Sequence, residues 1–297
     1  ELVSDPVWVQ TEFAHWISDD GLSWRRQSTV LRSTGDFTGE DPLAALFSPM
    51  PVFNESDGYW HLFFVAYHCA PDAGTKFFRN HRGRILRARS VERGSVGING
   101  PWEFQAEVIK PDAHSQSWEG LQGTDSFFPY RMGDSWLALY GSATTQWFSN
   151  DSSDPTSTTR WAVGLAESNH LIGPWQRMPS GNPLPVEPTF IENPVVARRD
   201  DGSLFALYDN GHIDPTLSRS FGLMTSDDGM QWTRQDPVFL PPSVAPWAET
   251  VRTPLGLVLD DAGRLRVYFT AFETPAGGAT DFGGRGHVGV AVFDYSL

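Results

Sequence analysis

The stretch that decides the fold is Thr124–Ala143, TDSFFPYRMGDSWLALYGSA, in which two apolar segments flank a short turn at Met132–Asp134. Aromatic and branched side chains dominate both segments, as in buried β-strands joined into a hairpin. An acid, Asp125, opens the first strand, and sixty-seven residues later a similar hairpin, IENPVVARRDDGSLFALYDNG, opens with Glu192. Two acids at the same point of a repeated β-unit predict two carboxylates that converge on one axis.

Each hairpin belongs to a longer repeat, because a third and a fourth apolar segment follow it. Equivalent points of the first strands are separated by 77, 67 and 61 residues; they are Ser48, Asp125, Glu192 and Thr253. A turn of the form SDDG-x-x-W occurs twice, at Ser18–Trp24 and at Ser226–Trp232. Four-stranded units repeated every ~60–75 residues without a helical period are typical of β-propeller blades.

The repeat predicts an all-β chain, a five-bladed β-propeller in one domain, 1–297. The first blade is expected to be incomplete at the N-terminus, because Phe13–Asp20 and Ser23–Leu31 read as its third and fourth strands. Either the sequence begins inside this blade or residues 1–10 replace the earlier strands. Two longer polar connections, Cys69–His81 and Phe148–Thr159, are expected to form loops around one mouth of the disc.

Composition limits the classes of partner. The formal net charge is −14 and the isoelectric point is near 4.9, which argues against nucleic acid or an anionic membrane as a partner. A neutral or cationic ligand fits better, although the acidity also suits an ordinary solvated surface. The single cysteine, Cys69, excludes an internal disulfide. The compartment stays open, with a secreted or periplasmic location favoured over the cytoplasm, and the oligomeric state is not indicated.

Several segments resemble those of the five-bladed propeller glycosidases, which are glycoside hydrolase family 43 and its relatives in families 32, 68 and 117. Gly123–Phe127 (GTDSF) is similar to the segment that carries a middle-blade Asp, and Phe190–Pro194 (FIENP) to the segment of the acid. Phe47–Pro49 and His15–Trp24 resemble the second-blade and first-blade segments. The resemblance implies a carbohydrate substrate, hydrolysis by carboxylates at the propeller axis, inversion if family 43 is followed, and no cofactor.

The resemblance also implies roles for the two acids. Glu192 would be the general acid, which must hold a proton for the leaving oxygen, and Asp125 a modulator whose charge favours that protonated state. Alternatively, Asp125 is a turn residue at a strand start and Glu192 a structural acid. The catalytic base expected in the first blade is not identifiable, because Asp5 lies too close to Phe13 and Asp41 falls on a loop before the second blade.

Five further residues are candidates for substrate binding, and each has an ordinary structural alternative. Arg252 would fork onto a hydroxyl or carboxylate of the substrate, or else form a structural ion pair. Trp118 and Trp147 would stack on sugar rings or pack in the core. His212 would lie at the mouth or on a common loop, and Ser48 occupies the second-blade position equivalent to the acids. No metal site is expected, since His287 is a lone histidine.

Two other functions remain open. A carbohydrate-binding propeller without activity would explain the missing base. A sialidase-like hydrolase is suggested by Thr225–Trp232, which fits the Asp-box turn between third and fourth strands. Such enzymes need three arginines on the axis, and Arg252 alone looks well placed. The sugar, its linkage, and exo or endo action are not indicated by the sequence.

Overall fold

The structure is a computed structural model that describes residues 11–36, 38–69, 80–120, 123–143, 161–188, 190–210, 215–260, 263–273 and 286–294. In these ranges the chain forms seventeen β-strands and two short 3-10 turns. The strands of the first half are β1 (Glu12–Ile17), β2 (Arg25–Arg32), β3 (Ala45–Asn54), β4 (Tyr59–Cys69), β5 (Asn80–Arg93), β6 (Trp102–Ile109), β7 (Thr124–Met132) and β8 (Ser135–Ala143). Those of the second half are β9 (Trp161–Ser168), β10 (Gln176–Arg177), β11 (Glu192–Arg198), β12 (Leu204–Asp209), β13 (Ser220–Ser226), β14 (Thr233–Phe239), β15 (Thr250–Leu259), β16 (Arg264–Phe272) and β17 (Gly286–Asp294).

These strands form five antiparallel sheets in which neighbours in space are neighbours in sequence. Three sheets have four strands, and they run β3 to β6, β7 to β10 and β11 to β14. The described part of the chain adds a three-stranded sheet, β15 to β17, and a two-stranded sheet, β1 and β2. Up-and-down sheets of four strands are the units of β-propellers, so the sequence repeat corresponds to the sheets.

Contacts divide the chain into two compact units. Unit 1 comprises Glu1–Phe127, Tyr140–Arg160 and Ala166–Arg177, and unit 2 comprises Phe128–Leu139, Trp161–Leu165 and Met178–Leu297. A core in unit 1 contains Phe13, Leu62 and Phe64, and unit 2 contains two buried clusters, one around Tyr208 and one around Phe269. Strands such as β8, β12 and β13 bury most of their side chains, whereas β2 and β14 have none that is fully buried, so the apolar segments of the sequence correspond to the inner strands.

Strand limits differ from the sequence expectation mainly at turns. The strand predicted over Phe13–Asp20 ends at Ile17, because Asp20 accepts hydrogen bonds from the backbone N–H groups of Leu22 and Ser23. The second copy of this turn is built alike, with Asp228 accepting from Met230 and Gln231. These donated hydrogen bonds hold the pKa of Asp228 below its usual range, that of Gln231 most of all.

The predicted loop Cys69–His81 is shorter than expected, because β4 extends through Cys69 and β5 begins at Asn80. The other predicted loop, Phe148–Thr159, lies outside the described residues. In the described residues, no helix is long and apolar enough to cross a membrane.

A cluster of one Glu, one Tyr and one Arg side chain, here called a brace, occurs twice. Each copy ties the segment before the first strand of a sheet to that same sheet, and the alignment of the sequence repeats did not reveal it. In unit 1, Glu119 accepts from the Tyr140 hydroxyl at 3.2 Å and pairs with two nitrogens of Arg177 at 2.7 and 3.0 Å. Burial and the adjacent carboxylate raise the pKa of Tyr140, so its hydroxyl stays a donor.

Unit 2 contains the counterpart of this brace. Glu187 accepts from the Tyr208 hydroxyl at 2.6 Å and pairs with Arg234 at 2.8 Å. Glu119 and Glu187 each precede the first residue of the next inner strand by five positions, Thr124 and Glu192 respectively. The brace therefore fixes the approach of the chain to the point where each acid lies.

We expect Glu119→Gln to lower the free energy of unfolding by about 3 kcal/mol, because it removes the buried charge partner of Arg177 and leaves only the longer pair with Asp112 at 3.4 Å. Chemical denaturation measures this loss. Glu103→Gln is the matched control, since Glu103 pairs with Arg89 at 3.6 Å on the surface, and we expect a change within about 0.5 kcal/mol. Equal effects of the two substitutions would contradict the bracing role of Glu119.

Candidate active site

Glu192 and Asp209 form a cross-strand pair of acids in unit 2. Glu192 is the first residue of β11, Asp209 is the last residue of β12, and the two are register partners. Both are buried, Asp209 almost completely. Like charges directly opposite each other in a sheet are destabilising, so this pair requires a compensating group.

Arg252 supplies the compensating charge from the next sheet of unit 2. One guanidinium nitrogen, Nη2, lies 2.5 Å from Oε2 of Glu192, and the other, Nη1, pairs with Oδ2 of Asp209. The arginine is on β15, which packs against β11 and β12. Sequence analysis left Arg252 open between substrate binding and a structural ion pair, and in the structure it forms ion pairs with both acids.

Two carboxylates and one guanidinium give this cluster a formal charge of −1 when both acids are ionised and of zero when one is protonated. The side chains are 9% exposed for Glu192, 1% for Asp209 and 14% for Arg252. A net charge buried to this degree is costly. The net charge of the cluster therefore depends on whether one of its two carboxyl groups carries a proton.

Bulges in the inner strands place these side chains. The register shifts between Glu192 and Val195, where Asn193 has a φ of +49° and precedes Pro194. A non-glycine residue in this left-handed region is uncommon and marks a constrained backbone. The proline cannot donate to the strand ladder, so a bulge is where a strand tolerates it. The bulge turns the start of β11 out of the regular ladder next to Glu192.

A register shift also occurs at two of the other aligned positions. In β3 the register shifts between Phe47 and Met50, and Ser48 before Pro49 has a φ of +50°. In β15 it shifts between Val251 and Thr253, next to Arg252. Three of the four positions that the repeat aligned, Ser48, Glu192 and Thr253, thus lie at irregular points of their strands, which is where functional side chains are often re-aimed.

Apolar and polar neighbours complete the surroundings of the cluster. The guanidinium carbon of Arg252 lies 6.0 Å from the centroid of the Phe190 ring, which itself contacts Trp161 edge-on. Asn210 follows Asp209 and is buried. Its side-chain oxygen accepts from the Ser220 hydroxyl at 3.4 Å.

Asp125 lies in unit 1, in the second position of β7, and is buried. Its backbone carbonyl accepts a hydrogen bond from the Ser48 hydroxyl at 3.1 Å, so two of the predicted residues are in contact. A Cβ added at Gly141 would overlap Oδ1 of Asp125, so the glycine makes room for the carboxylate. Glu192 belongs to unit 2, and convergence of the two acids on one axis stays a prediction.

The remaining predicted residues are less informative. Trp118 is 8% exposed, packs on Tyr140 and donates to the side chain of Gln116, which favours the core role that the sequence left open. Trp147, His212 and Asp5 lie outside the described residues. Within the described ranges, no group of three or more His, Cys, Asp or Glu side chains is arranged to hold a metal ion.

Sequence reasoning missed Asp209. The signal was present, because Ala138–Gly141 (ALYG) and Ala206–Asp209 (ALYD) align in the two second strands. A short hairpin that begins at Glu192 must place the end of its second strand opposite this acid. In the β7–β8 hairpin the acid therefore faces a glycine, whereas in the β11–β12 hairpin the acid faces a second acid.

Comparison with known proteins identifies the fold. No family profile and no curated protein matches the chain by sequence. Among solved structures, a complex of BT0996 with RGII matches with a TM-score of 0.67 and 17% identity, over 93% of this chain and 77% of that one. A family 117 glycoside hydrolase of Zobellia galactanivorans, Zg3597, matches with a TM-score of 0.60 and 16% identity, over 95% and 70%.

An α-L-arabinofuranosidase of Lactobacillus brevis also matches, with a TM-score of 0.58 and 15% identity, over 97% of this chain and 84% of that one. The chain thus has an all-β, propeller-like fold, and the structures that it resembles are glycoside hydrolases of the kind that the sequence resemblance indicated. At these identities the likeness identifies the fold, and the chemistry rests on the residues.

We expect Gly141→Ala to displace the Asp125 carboxylate, because the new methyl group would also lie 2.5 Å from the Ser126 hydroxyl oxygen. The free energy of unfolding should fall by about 1–3 kcal/mol, as for other overpacked sites. Gly256→Ala in β15 is the matched control, since an added Cβ there has no neighbour within 4 Å. Thermal unfolding compares the two variants. A loss of stability in Gly256→Ala as large as that in Gly141→Ala would contradict the claim that Gly141 makes room for the Asp125 carboxylate.

Proposed function

We propose that the chain is a glycoside hydrolase, a single five-bladed propeller acting on an oligosaccharide or polysaccharide, with Glu192 as the general acid. The observation that carries the proposal is the buried Glu192–Arg252–Asp209 cluster at the start of an inner strand. Support comes from the fold, which is shared with an arabinofuranosidase and a family 117 hydrolase. A general acid is partly shielded from water and still has to reach its substrate, and the Glu192 side chain is 9% exposed.

The reaction divides into proton donation and attack by water. Glu192 would give its proton to the glycosidic oxygen as the bond from that oxygen to the anomeric carbon breaks. The carboxylate that forms is then stabilised by Arg252, whose Nη2 lies 2.5 Å from it. Asp125 is proposed as the modulator on the basis of its burial at the equivalent point of its own hairpin. The base that activates water is not assigned.

The neighbours indicate which substrates to try first. One is an arabinofuranosidase and another is an endo-arabinase of Bacteroides thetaiotaomicron, with a TM-score of 0.52 and 14% identity over 83% of this chain and 75% of that one. Arabinan, arabino-oligosaccharides and aryl arabinofuranosides therefore head the panel, followed by xylosides and algal polysaccharides.

We expect Glu192→Gln to reduce kcat/KM for an oligosaccharide by about 10²–10⁴-fold, because the departing sugar oxygen needs a proton. A nitrophenyl glycoside should lose less, since its phenolate leaves without protonation. Glu249→Gln is the matched control, with a half-exposed side chain in the same unit, and should act as wild type. Reducing-sugar release and nitrophenol absorbance measure the two rates.

Wild-type rates in Glu192→Gln on both substrate types would contradict the acid assignment. The second candidate is a carbohydrate-binding protein without activity, and it is favoured by one observation: in the structure Arg252 already pairs with both acids. Calorimetric binding of an oligosaccharide with no product released by wild type would favour this candidate over the hydrolase.

A further inference from the structure

We propose that Asp209 is a positioning residue that acts on Glu192 through Arg252, an inference that rests on the proposed function of Glu192 as general acid. Asp209 has no part in the sequence resemblance. Its place in the structure follows from β12 ending opposite the first residue of β11, where the two acids meet one guanidinium.

Each acid pairs with a different terminal nitrogen of the Arg252 guanidinium, Glu192 with Nη2 and Asp209 with Nη1. Of the described strands, β12 and β15 make the most contacts with β11, and they bring Asp209 and Arg252 to Glu192. If Arg252 faced Glu192 alone, the attraction would favour the ionised acid, which has no proton to donate. Asp209 pairs with the other nitrogen, Nη1, and adds a negative charge beside Glu192.

The net charge of the cluster therefore changes by one unit over the catalytic cycle. While Glu192 is protonated, Asp209 and Arg252 form a neutral pair, so no net charge is buried. When Glu192 has passed its proton to the glycosidic oxygen, the new carboxylate still meets Nη2 of Arg252 at 2.5 Å. Water supplies a hydroxyl to the anomeric carbon and the proton that restores the acid, and Asp209 exchanges no proton in this scheme.

The different burial of the two acids fits a proton donor at Glu192 and a positioning residue at Asp209. The Asp209 side chain is 1% exposed, whereas that of Glu192 is 9% exposed and can reach a substrate more easily. The neighbouring acid on the flanking loop, Glu187, is already engaged by Tyr208 and Arg234. Among the described residues, Asp209 shares the Arg252 guanidinium with Glu192, so its charge is expected to influence the proton on Glu192.

The test is the pH profile of kcat/KM on the oligosaccharide that wild type cleaves. A general acid is active when protonated, so activity is lost as pH rises through its pKa, and this loss is the alkaline limb. Asp209→Asn removes the negative charge that pairs with Nη1 of Arg252 and leaves the pair between Nη2 and Glu192 in place. We expect the alkaline limb to move to lower pH by about one unit or more. Asp209→Glu keeps the charge and should keep the limb near its wild-type position.

Asp260→Asn is the matched control, because Asp260 pairs with Arg264 at 2.8 Å and Arg266 at 3.4 Å on the β15–β16 hairpin. It should leave the profile unchanged. If Asp209→Asn does not fold, Asp209→Ser removes the same charge and admits water, and the same shift is expected. Thermal unfolding of each variant separates a loss of fold from a shift of the profile.

Two results would overturn the inference. One is a fall in kcat/KM for the neutral Asp209 variants with the alkaline limb unmoved, and the other is an equal shift in Asp209→Glu. Failure of the proposed function looks different, because Glu192→Gln would then retain its rate on the oligosaccharide, or wild type would release no product. A loss in Glu192→Gln with no shift in the Asp209 variants rejects this inference alone.

Discussion

A single guanidinium between two facing carboxylates is the interaction on which the candidate site depends. Glu192 and Asp209 are paired in register, so the sheet itself brings two negative charges together. Burying both carboxylates without a paired cation would be strongly destabilising. The arginine comes from β15, whereas the acids come from β11 and β12, so the cluster also links two sheets of unit 2.

Irregular strand geometry is the second constraint on the candidate site, and it directs the side chains independently of their charge. Ser48 and Asn193 both adopt positive φ and both precede proline, and each lies in a bulge of a first strand. A regular strand would alternate its side chains between the two faces without exception. The bulges interrupt this alternation at the aligned positions. The braces centred on Glu119 and Glu187 hold the chain just before the first residues of β7 and β11.

Most of the fold could be predicted from the sequence, because strand and turn patterns are local. The second strand expected after the turn at Met132–Asp134, Ser135–Ala143, is confirmed to the residue as β8. Glu192 and Arg252 could be proposed from their place in the repeat. Asp209 was missed because its role depends on register, and the ion pairs depend on packing between sheets. A pattern read along one strand contains neither kind of information.

The most direct test of Glu192 as the acid is a crystal structure of the Glu192→Gln variant with an oligosaccharide bound. We predict that the glycosidic oxygen lies within about 3 Å of the side-chain amide introduced at position 192, which is the reach of a proton donor. We also predict that Arg252 remains paired with Asp209. A sugar seated away from position 192, or a side chain there closed off from the ligand by Arg252, would contradict the assignment of Glu192 as the acid.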